Sequence, residues 1–392
     1  MSTNNPGMDP EIFAQFHEQL ERYVRERLVP AEAEVIEHNG IPDDLKQELV
    51  DMGLFGLTMP CEYGGAGMNV SQYIETIHTL SYAMPAYRST ISINVGMVCS
   101  AIRNAGTPEQ KALWLPRLAT GEIAAFGLTE PGSGSDSAGL QTTAVRSGNG
   151  YVLNGTKRYI TNAPFARVGL IMARTSKENL PKNAHVSAFI VPLDTPGVSR
   201  GKSDKKMGQP GSHIGDLIFD DVFVPGDALL GGEEGKGFAI AMQSLDNGRL
   251  SVGAASTGYA QRILDTATRY ATERKAFGEP IANFQLIQAM LSDSYAEIYA
   301  AQCMMRDAIA KADSGAKILK EAAAFKMFAS EMCGRVADRC VQIHGGAGYL
   351  AEYQAERFFR DVRIYRIYEG TTQIMQLVIA KQMLRDFAAG GA

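Results

Sequence analysis

Ser147-Gly148-Asn149-Gly150-Tyr151-Val152-Leu153-Asn154-Gly155-Thr156-Lys157-Arg158-Tyr159-Ile160 is the stretch that decides the fold. Two short runs that favour extended backbone, 151–153 and 157–160, are set off by Ser147-Gly148-Asn149-Gly150 and Asn154-Gly155, both turn sequences of the hairpin type. Similar runs follow at 168–173, 186–191 and 217–224. The spacing predicts a small antiparallel barrel or sandwich between Ala124 and about Pro225.

Helical patterns bracket that block. Phe13, Phe16, Leu20, Tyr23 and Val24 recur at three- and four-residue spacing within 11–27, and Pro30 interrupts the pattern. Ile41-Pro42-Asp43-Asp44 opens a helix over 45–52, Gly64-Gly65-Ala66-Gly67 is a loop, and 71–84 and 108–118 read as further helices. Beyond the glycine-rich stretch 231–237, four long helical patterns cover 238–273, 284–312, 318–343 and 353–384. The last is interrupted around Glu369-Gly370, and together they predict an up-down bundle. The predicted class is α+β, mostly α. A helical N-terminal domain (1–123) precedes a middle antiparallel β-domain (124–230) and a C-terminal four-helix bundle (231–392).

A chain of 392 residues exceeds one core, and 45% hydrophobic with 21% charged residues is ordinary for a soluble globular protein. No apolar run approaches the roughly 20 residues of a membrane span. The first ten residues hold no Lys or Arg and no apolar run, so neither a secretory signal nor an Arg-rich transit peptide is expected. With a net charge of −5 and no basic block, nucleic acid is not an expected partner. Five scattered Cys without a CxxC point to reduced thiols and a cytoplasmic location. The six His form no HExxH, so no metal site is expected.

Two segments carry the chemistry. Tyr368-Glu369-Gly370-Thr371-Thr372 sets one carboxylate on a glycine-flexed turn, between a basic aromatic run (363–366) and an apolar helix (374–384). Phe126-Gly127-Leu128-Thr129-Glu130-Pro131-Gly132-Ser133-Gly134-Ser135-Asp136 lies far upstream. Its glycines allow close backbone approach to a ligand, and Thr129, Ser133 and Ser135 offer hydroxyls. It is neither a GxGxxG fingerprint nor a Walker A loop. Alone, each segment reads as a polar loop or a solvated turn. In this order, the two resemble the acyl-CoA dehydrogenase family, over roughly residues 13–384.

The resemblance implies noncovalent FAD, an acyl-CoA substrate, an electron-transfer flavoprotein as acceptor and a homotetramer. It makes Glu369 the catalytic base and places Phe126, Leu128, Thr129, Gly134 and Ser135 along the flavin, with Ser135 also touching substrate. In Tyr159-Ile160-Thr161-Asn162 it implies that Tyr159 stacks beside the flavin and Thr161 bonds to it. Most members have Trp where this chain has Tyr159. In Glu273-Arg274-Lys275-Ala276-Phe277-Gly278, followed by Gln285, it assigns Arg274, Phe277 and Gln285 to the FAD of a neighbouring subunit. Read alone, that segment is a basic helix end with a glycine stop. Gln342 and Gly346 would meet the adenosine part of FAD, and Thr371 and Gln373 would lie against FAD. Tyr368, Gly370, Asp246 and Arg249 would border the substrate. Some members carry the base at the residue before Arg249; here that residue is Gly248, which favours Glu369.

For the acyl group, Tyr87-Arg88-Ser89-Thr90-Ile91-Ser92 resembles the stretch in which glutaryl-CoA dehydrogenases use an Arg and a Ser to hold a distal carboxylate. Arg88 and Ser92 stand four apart, on one helix face. Ser81 replaces the acidic residue expected in that subgroup, and the loop after Glu369 is nearer to short- and medium-chain enzymes. Chain length and any decarboxylation stay open. Two other readings keep the fold: an acyl-CoA oxidase that hands electrons to oxygen, and a non-catalytic helical protein that binds acyl-CoA or a partner.

Overall fold

The computed structural model describes residues 6–176, 178 and 181–390. The first helix, α1 (Pro10–Tyr23), starts where the Asp9 carboxylate accepts from the N–H groups of Glu11 and Ile12 and Pro10 fills the first helical position. It runs on through a π-helical turn, Val24–Leu28. Then come α2 (Glu32–Glu37), α3 (Asp43–Asp51), α4 (Val70–Leu80), α5 (Pro85–Ser92), α6 (Ser100–Ala105) and α7 (Pro108–Ala119). The predicted helix over 71–84 is cut at Leu80, and Pro85 restarts the chain as α5. A π-helical stretch, Ile93–Cys99, joins α5 to α6. Capping boxes at Asn69/Gln72 and Thr107/Gln110 set the starts of α4 and α7.

The middle of the chain supplies β1 (Ala124–Gly127), β2 (Thr143–Ser147), β3 (Gly150–Thr161), β4 (Val168–Arg174), β5 (Val186–Pro192), β6 (Val198–Arg200) and β7 (Ile214–Pro225). The sheet order is β1-β4-β2-β3-β7-β6, with β5 on the other edge of β4. Most pairs are antiparallel, while β4 runs parallel to β1 and meets β2 in parallel at Arg174. Gly148-Asn149 forms the expected hairpin turn between β2 and β3. Asn154-Gly155 does not turn the chain. It is a bulge inside one continuous strand, where the register against β7 slips between Leu153 and Gly155. Gly155 has φ +147, and a β-carbon there would come within 2.5 Å of the Thr142 hydroxyl, so only glycine fits. Asn154 is occupied across the strands, donating to Asp221 Oδ1 at 2.9 Å.

One face of this sheet (Phe126, Leu128, Leu170, Met172, Ala188, Ile190) packs on Trp114, Leu115 and Leu118 of α7 and on the π-helical stretch. The other face closes on itself around Leu153, Phe189, Leu217 and Val222. Strands β4 and β5 are therefore buried on both faces, which explains their unbroken apolar runs.

Helix α8 (Gly237–Glu273) is 37 residues long, about 55 Å at 1.5 Å per residue. A two-stranded hairpin, β8 (Lys275–Ala276) and β9 (Glu279–Pro280), leads to α9 (Gln285–Asp313) and α10 (Leu319–His344). The fourth helical pattern divides into α11 (Gln354–Val362), a 3-10 turn at Arg363–Arg366 and α12 (Thr372–Ala388). Apolar faces of α1–α5 and α8–α11 share a single core, so the two helical parts bury one another. No helix among the described residues is long and apolar enough to cross a membrane.

A buried pair bolts the parts together. Glu32 of α2 accepts from Arg357 of α11 at 2.6 Å and from the Met84 N–H at 3.0 Å. Removing one partner leaves a buried charge unpaired, so Glu32→Ala should cost about 3–5 kcal/mol in urea unfolding. Removing the exposed Glu21–Arg25 pair should cost less than about 1 kcal/mol. Equal small losses would show that the buried pair does not join the two helical parts.

Candidate active site

Glu369 sits in the left-handed region at φ +53, followed by Gly370 at φ +98. A non-glycine residue there costs roughly 1–3 kcal/mol and persists only when its surroundings hold it. They do: the Thr371 hydroxyl accepts from the Ile374 N–H at 3.2 Å to start α12. Thr372 donates to Glu331 of α10 at 2.7 Å, and Lys326 of α10 donates to the Gly370 carbonyl at 2.7 Å. The carboxylate is thereby aimed at α8, where a β-carbon built on Gly248 would overlap Glu369 Oε2. Glu369 fits because Gly248 has no side chain.

The carboxylate is 12% exposed, and Oε2 has no hydrogen-bond partner among the described residues. Burial raises its pKa above the ordinary 4.5, while Arg88, Lys326 and Arg249 pull it back. Arg88 is 3% exposed, not on the surface as helical arginines usually are, and its Nη2 lies 4.0 Å from Glu369 Oε1. Its guanidinium donates to Ser251 Oγ at 2.8 Å and to the Tyr368 hydroxyl at 3.4 Å, while Nε is unpartnered among the described residues. Ser92 is buried one turn on, but these bonds of Arg88 go to α8 and to the Glu369 turn. Tyr73 of α4 closes the same space, within electrostatic reach of Arg88 and Glu369. On α8, Arg249 pairs with Asp246 at 2.5 Å.

The structure thus brings Arg88, Arg249, Tyr368, Glu369 and Gly370 together. Lys326, Tyr73 and Ser251 join them without having been singled out in the sequence. A signal for Lys326 existed: it is a cation on the helix face that buries Ala322, Ala323, Ala329 and Ser330.

A second group lies on the β-domain. Loop 129–136 is pinned from beneath by Glu130, whose carboxylate accepts from buried Lys157 at 2.7 Å and from Thr142 N–H at 2.9 Å. Arg158 N–H donates to Thr129 O at 2.9 Å. Phe126 and Leu128 point into the core, while Gly134 and Ser135 stay exposed. A register slip between Lys157 and Ile160 turns Tyr159 outward, at φ +58 and 60% exposed, with Thr161 two residues on. The Arg158 guanidinium lies 4.7 Å from the centre of the Tyr159 ring.

A third group gathers at the far end of α8. Arg274 begins the hairpin, Phe277 is 96% exposed, and Gln285 opens α9. Tyr270 stacks on His344 at 4.0 Å, which brings Gln342 and Gly346 of the α10 end beside them. Arg274 lies 26 residues along from Gly248, about 39 Å at helical rise. Gln373 faces outward on the first turn of α12.

These surfaces suit a flat, phosphate-bearing ligand. Tyr159 offers an exposed ring, and β-carbons at Gly132, Gly134, Gly345 and Gly346 would meet only open space. A planar ring and a pyrophosphate have somewhere to lie, and Arg274 suits a phosphate fork. Among the described residues, no group of His, Cys, Asp and Glu could hold a metal ion.

Comparison with known proteins agrees along most of the chain. Family models described as acyl-CoA dehydrogenase N-terminal, middle and C-terminal domains match residues 11–122, 125–222 and 235–384. The human mitochondrial short-chain specific acyl-CoA dehydrogenase is 38% identical over 379 residues, covering 96% of this chain and 91% of that one. A caffeyl-CoA reductase-Etf complex subunit of Acetobacterium woodii is 40% identical over 353 residues, covering 90% and 92%. Among solved structures, butyryl-CoA dehydrogenase of Megasphaera elsdenii superposes with a TM-score of 0.91 at 36% identity, covering 96% and 99%. A glutaryl-CoA dehydrogenase of Mycobacterium smegmatis in complex with FADH2 gives 0.89 at 29% identity, covering 96% and 95%.

The clearance at Gly248 yields a test. Gly248→Ala replaces glycine by a better helix former, which alone would add about 1 kcal/mol. Here the methyl group must push the carboxylate aside. A crystal structure of the variant should show Glu369 displaced from α8. An unmoved Glu369 would mean that the helix, not the carboxylate, gives way.

Proposed function

The chain belongs to the acyl-CoA dehydrogenase family, and on that premise we propose that it oxidises an acyl-CoA thioester to the trans-2-enoyl-CoA, with Glu369 as the base. FAD, when bound, would supply the acceptor for the hydride lost from the β-carbon, with an electron-transfer flavoprotein as the onward acceptor. The backbone at Phe126 and Leu128, whose side chains face the core, together with Thr129, Gly134, Ser135, Tyr159, Thr161, Thr371 and Gln373, would hold the FAD within one subunit. Arg274, Phe277, Gln285, Gln342 and Gly346 would serve a neighbouring copy. The exposed apolar residues Leu286, Tyr295, Tyr299, Leu377, Leu384 and Phe387 favour such an oligomer.

One observation carries the assignment of the base. Glu369 is a buried carboxylate with one oxygen unpartnered among the described residues, held in a strained turn and lodged against the bare backbone of Gly248. From there it takes the α-proton. Its raised pKa makes it a stronger base than an exposed carboxylate. Burial by the thioester expels further water and favours the proton's transfer. Arg88, Arg249 and Lys326 keep the resting carboxylate ionised and lend positive potential to the charge that develops on the thioester.

A second reading concerns the acyl group. Arg88 is buried at the site with an unpartnered Nε, which favours a substrate whose distal end is a carboxylate. A plain short acyl chain would leave Arg88 to Ser251, Tyr368 and Glu369.

Anaerobic bleaching of the flavin band separates these readings. Butyryl-, isobutyryl-, octanoyl- and glutaryl-CoA are compared, with the product weighed by mass spectrometry for loss of carbon dioxide. Glutaryl-CoA should bleach fastest if Arg88 holds a carboxylate, and Arg88→Gln should reverse that order. Butyryl-CoA should bleach fastest if it does not. Glu369→Gln should retain FAD yet slow bleaching by about 10²–10⁴-fold or more. Rapid bleaching by that variant would sink the assignment of the base.

The pH profile gives an independent check. The base works ionised, so the rate is lost as pH falls through its pKa, and the acid limb should lie above pH 4.5. Arg88→Gln removes a cation that lowers this pKa, so the limb should move to higher pH; an unmoved limb would show that Arg88 does not tune Glu369.

A further inference from the structure

Lys326 is the cation whose bond to the Glu369 turn the reaction as drawn leaves unused. It lies on α10 at 0% exposure, among Ala322, Ala323, Phe325, Ala329 and Ser330, all buried. An ammonium taken out of water is costly unless it is bonded and opposed by charge. Its hydrogen bond goes to the Gly370 carbonyl at 2.7 Å, one residue past Glu369. That carbonyl belongs to the residue whose φ of +98 completes the turn.

The charges around it are largely committed elsewhere. Glu331, on the same helix, accepts from Arg366 at 3.1 Å and from Thr372 at 2.7 Å. Arg249, facing from α8, is held by Asp246 at 2.5 Å. The remaining anion facing Lys326 is Glu369, itself faced by Arg88 from α5, with the phenols of Tyr73 and Tyr368 alongside.

We propose that Lys326 is a positioning residue for the base: its ammonium clamps the Gly370 carbonyl, holds Glu369 in the left-handed turn, and supplies a charge that keeps the carboxylate ionised. The inference rests on Glu369 being the base. Lys326 does not touch the reacting atoms; it acts through Glu369.

Burial lowers the Lys326 pKa from its usual 10.5 to about 8, with Glu369 opposing that shift, Arg249 adding to it and Glu331 opposing it. The clamp is therefore charged below about pH 8 and weakens above it. Between about pH 8 and 10.5 the unfolded chain holds this proton and the folded chain does not. Folding stability contributed by this group therefore rises with pH through that window.

The test compares the FAD-loaded wild type with Lys326→Met, Lys326→Arg and Glu369→Gln. Flavin reduction by a saturating thioester is followed anaerobically from pH 5 to 10, and thermal unfolding over pH 7–10.5. In Lys326→Met the flavin absorbance and the KM should stay near wild type. The reduction rate should fall about 10–100-fold, as for a lost charged hydrogen bond. Its acid limb should move to higher pH and the alkaline limb near pH 8 should vanish. Lys326→Arg should restore most of the rate. On raising the pH from 8 to 10.5, wild type should gain melting temperature relative to Lys326→Met.

A slower variant whose pH profile is unchanged would overturn the proposal in favour of a structural role, as would a full rate with unmoved limbs. Should Lys326→Met not fold, Lys326→Gln carries the same comparison. Rapid reduction in Glu369→Gln would instead remove the reading on which the proposal rests, whatever Lys326 does.

Discussion

One constraint governs this molecule: a carboxylate has to be kept ionised where there is almost no water. Glu369 gains no hydrogen bond on Oε2 among the described residues, and its ion pair with Arg88 Nη2 spans 4.0 Å. Its charge is tolerated because three cations surround it from three helices: Arg88 on α5, Arg249 on α8 and Lys326 on α10. No single segment of the chain could provide that arrangement. The fold brings residue 88 to residue 369 by burying the N-terminal helices in the same core as the C-terminal ones. A carboxylate bonded tightly to one cation would be a weak base, and one with no cations would take up a proton. Cations held at a distance, with their own bonds to other groups, lie between those limits.

Positions that hard to keep need a stiff frame. Behind the site, Asp361 of α11 accepts from the Gln209 N–H of the β-domain and from the Tyr259 hydroxyl of α8 at 3.1 Å. Burial lifts the Asp361 pKa to about 6, with the Gln209 bond and Arg357 opposing the rise. Glu32 of the N-terminal helices joins the same cluster through Arg357. Each of the three parts therefore contributes a polar group to one buried knot, and hydrogen-bond direction adds the registry that apolar contact cannot provide. The Glu369 turn follows that knot by eight residues along the chain, so its placement inherits the knot's.

Much of this was legible in the sequence, and what was not has physical causes. The helical patterns of the last third matched α8, α9 and α10 to within a residue or two, because long amphipathic helices write their period many times over. Asn154-Gly155 was read as a turn since that dipeptide favours one; Gly155 instead answers a tertiary demand, the approach of Thr142. Within the site, Glu369 and Arg88 stood out as charges in recognisable surroundings. Lys326 did not, since a lone Lys in a helix is usually on the surface, although the small residues three and four positions away mark its face as one that packs. Tyr73 and Ser251 look like ordinary core residues until a buried guanidinium is set against them.

The geometry of α8 also bears on how the site can be complete. Gly248, beside the base, and Arg274, at the helix end, are separated by about 39 Å of straight helix. At that far end Phe277 is almost fully exposed, a wasteful position for a phenylalanine in a lone subunit. Leu286, Tyr295 and Tyr299 extend the same exposed surface along α9. A second copy laid against this face would cover that surface and bring a foreign Arg274 and Phe277 to the β-domain. In the assembly proposed above, the long helix would divide one subunit's contributions between two sites, and the complete cofactor site would belong to the assembly and not to the chain.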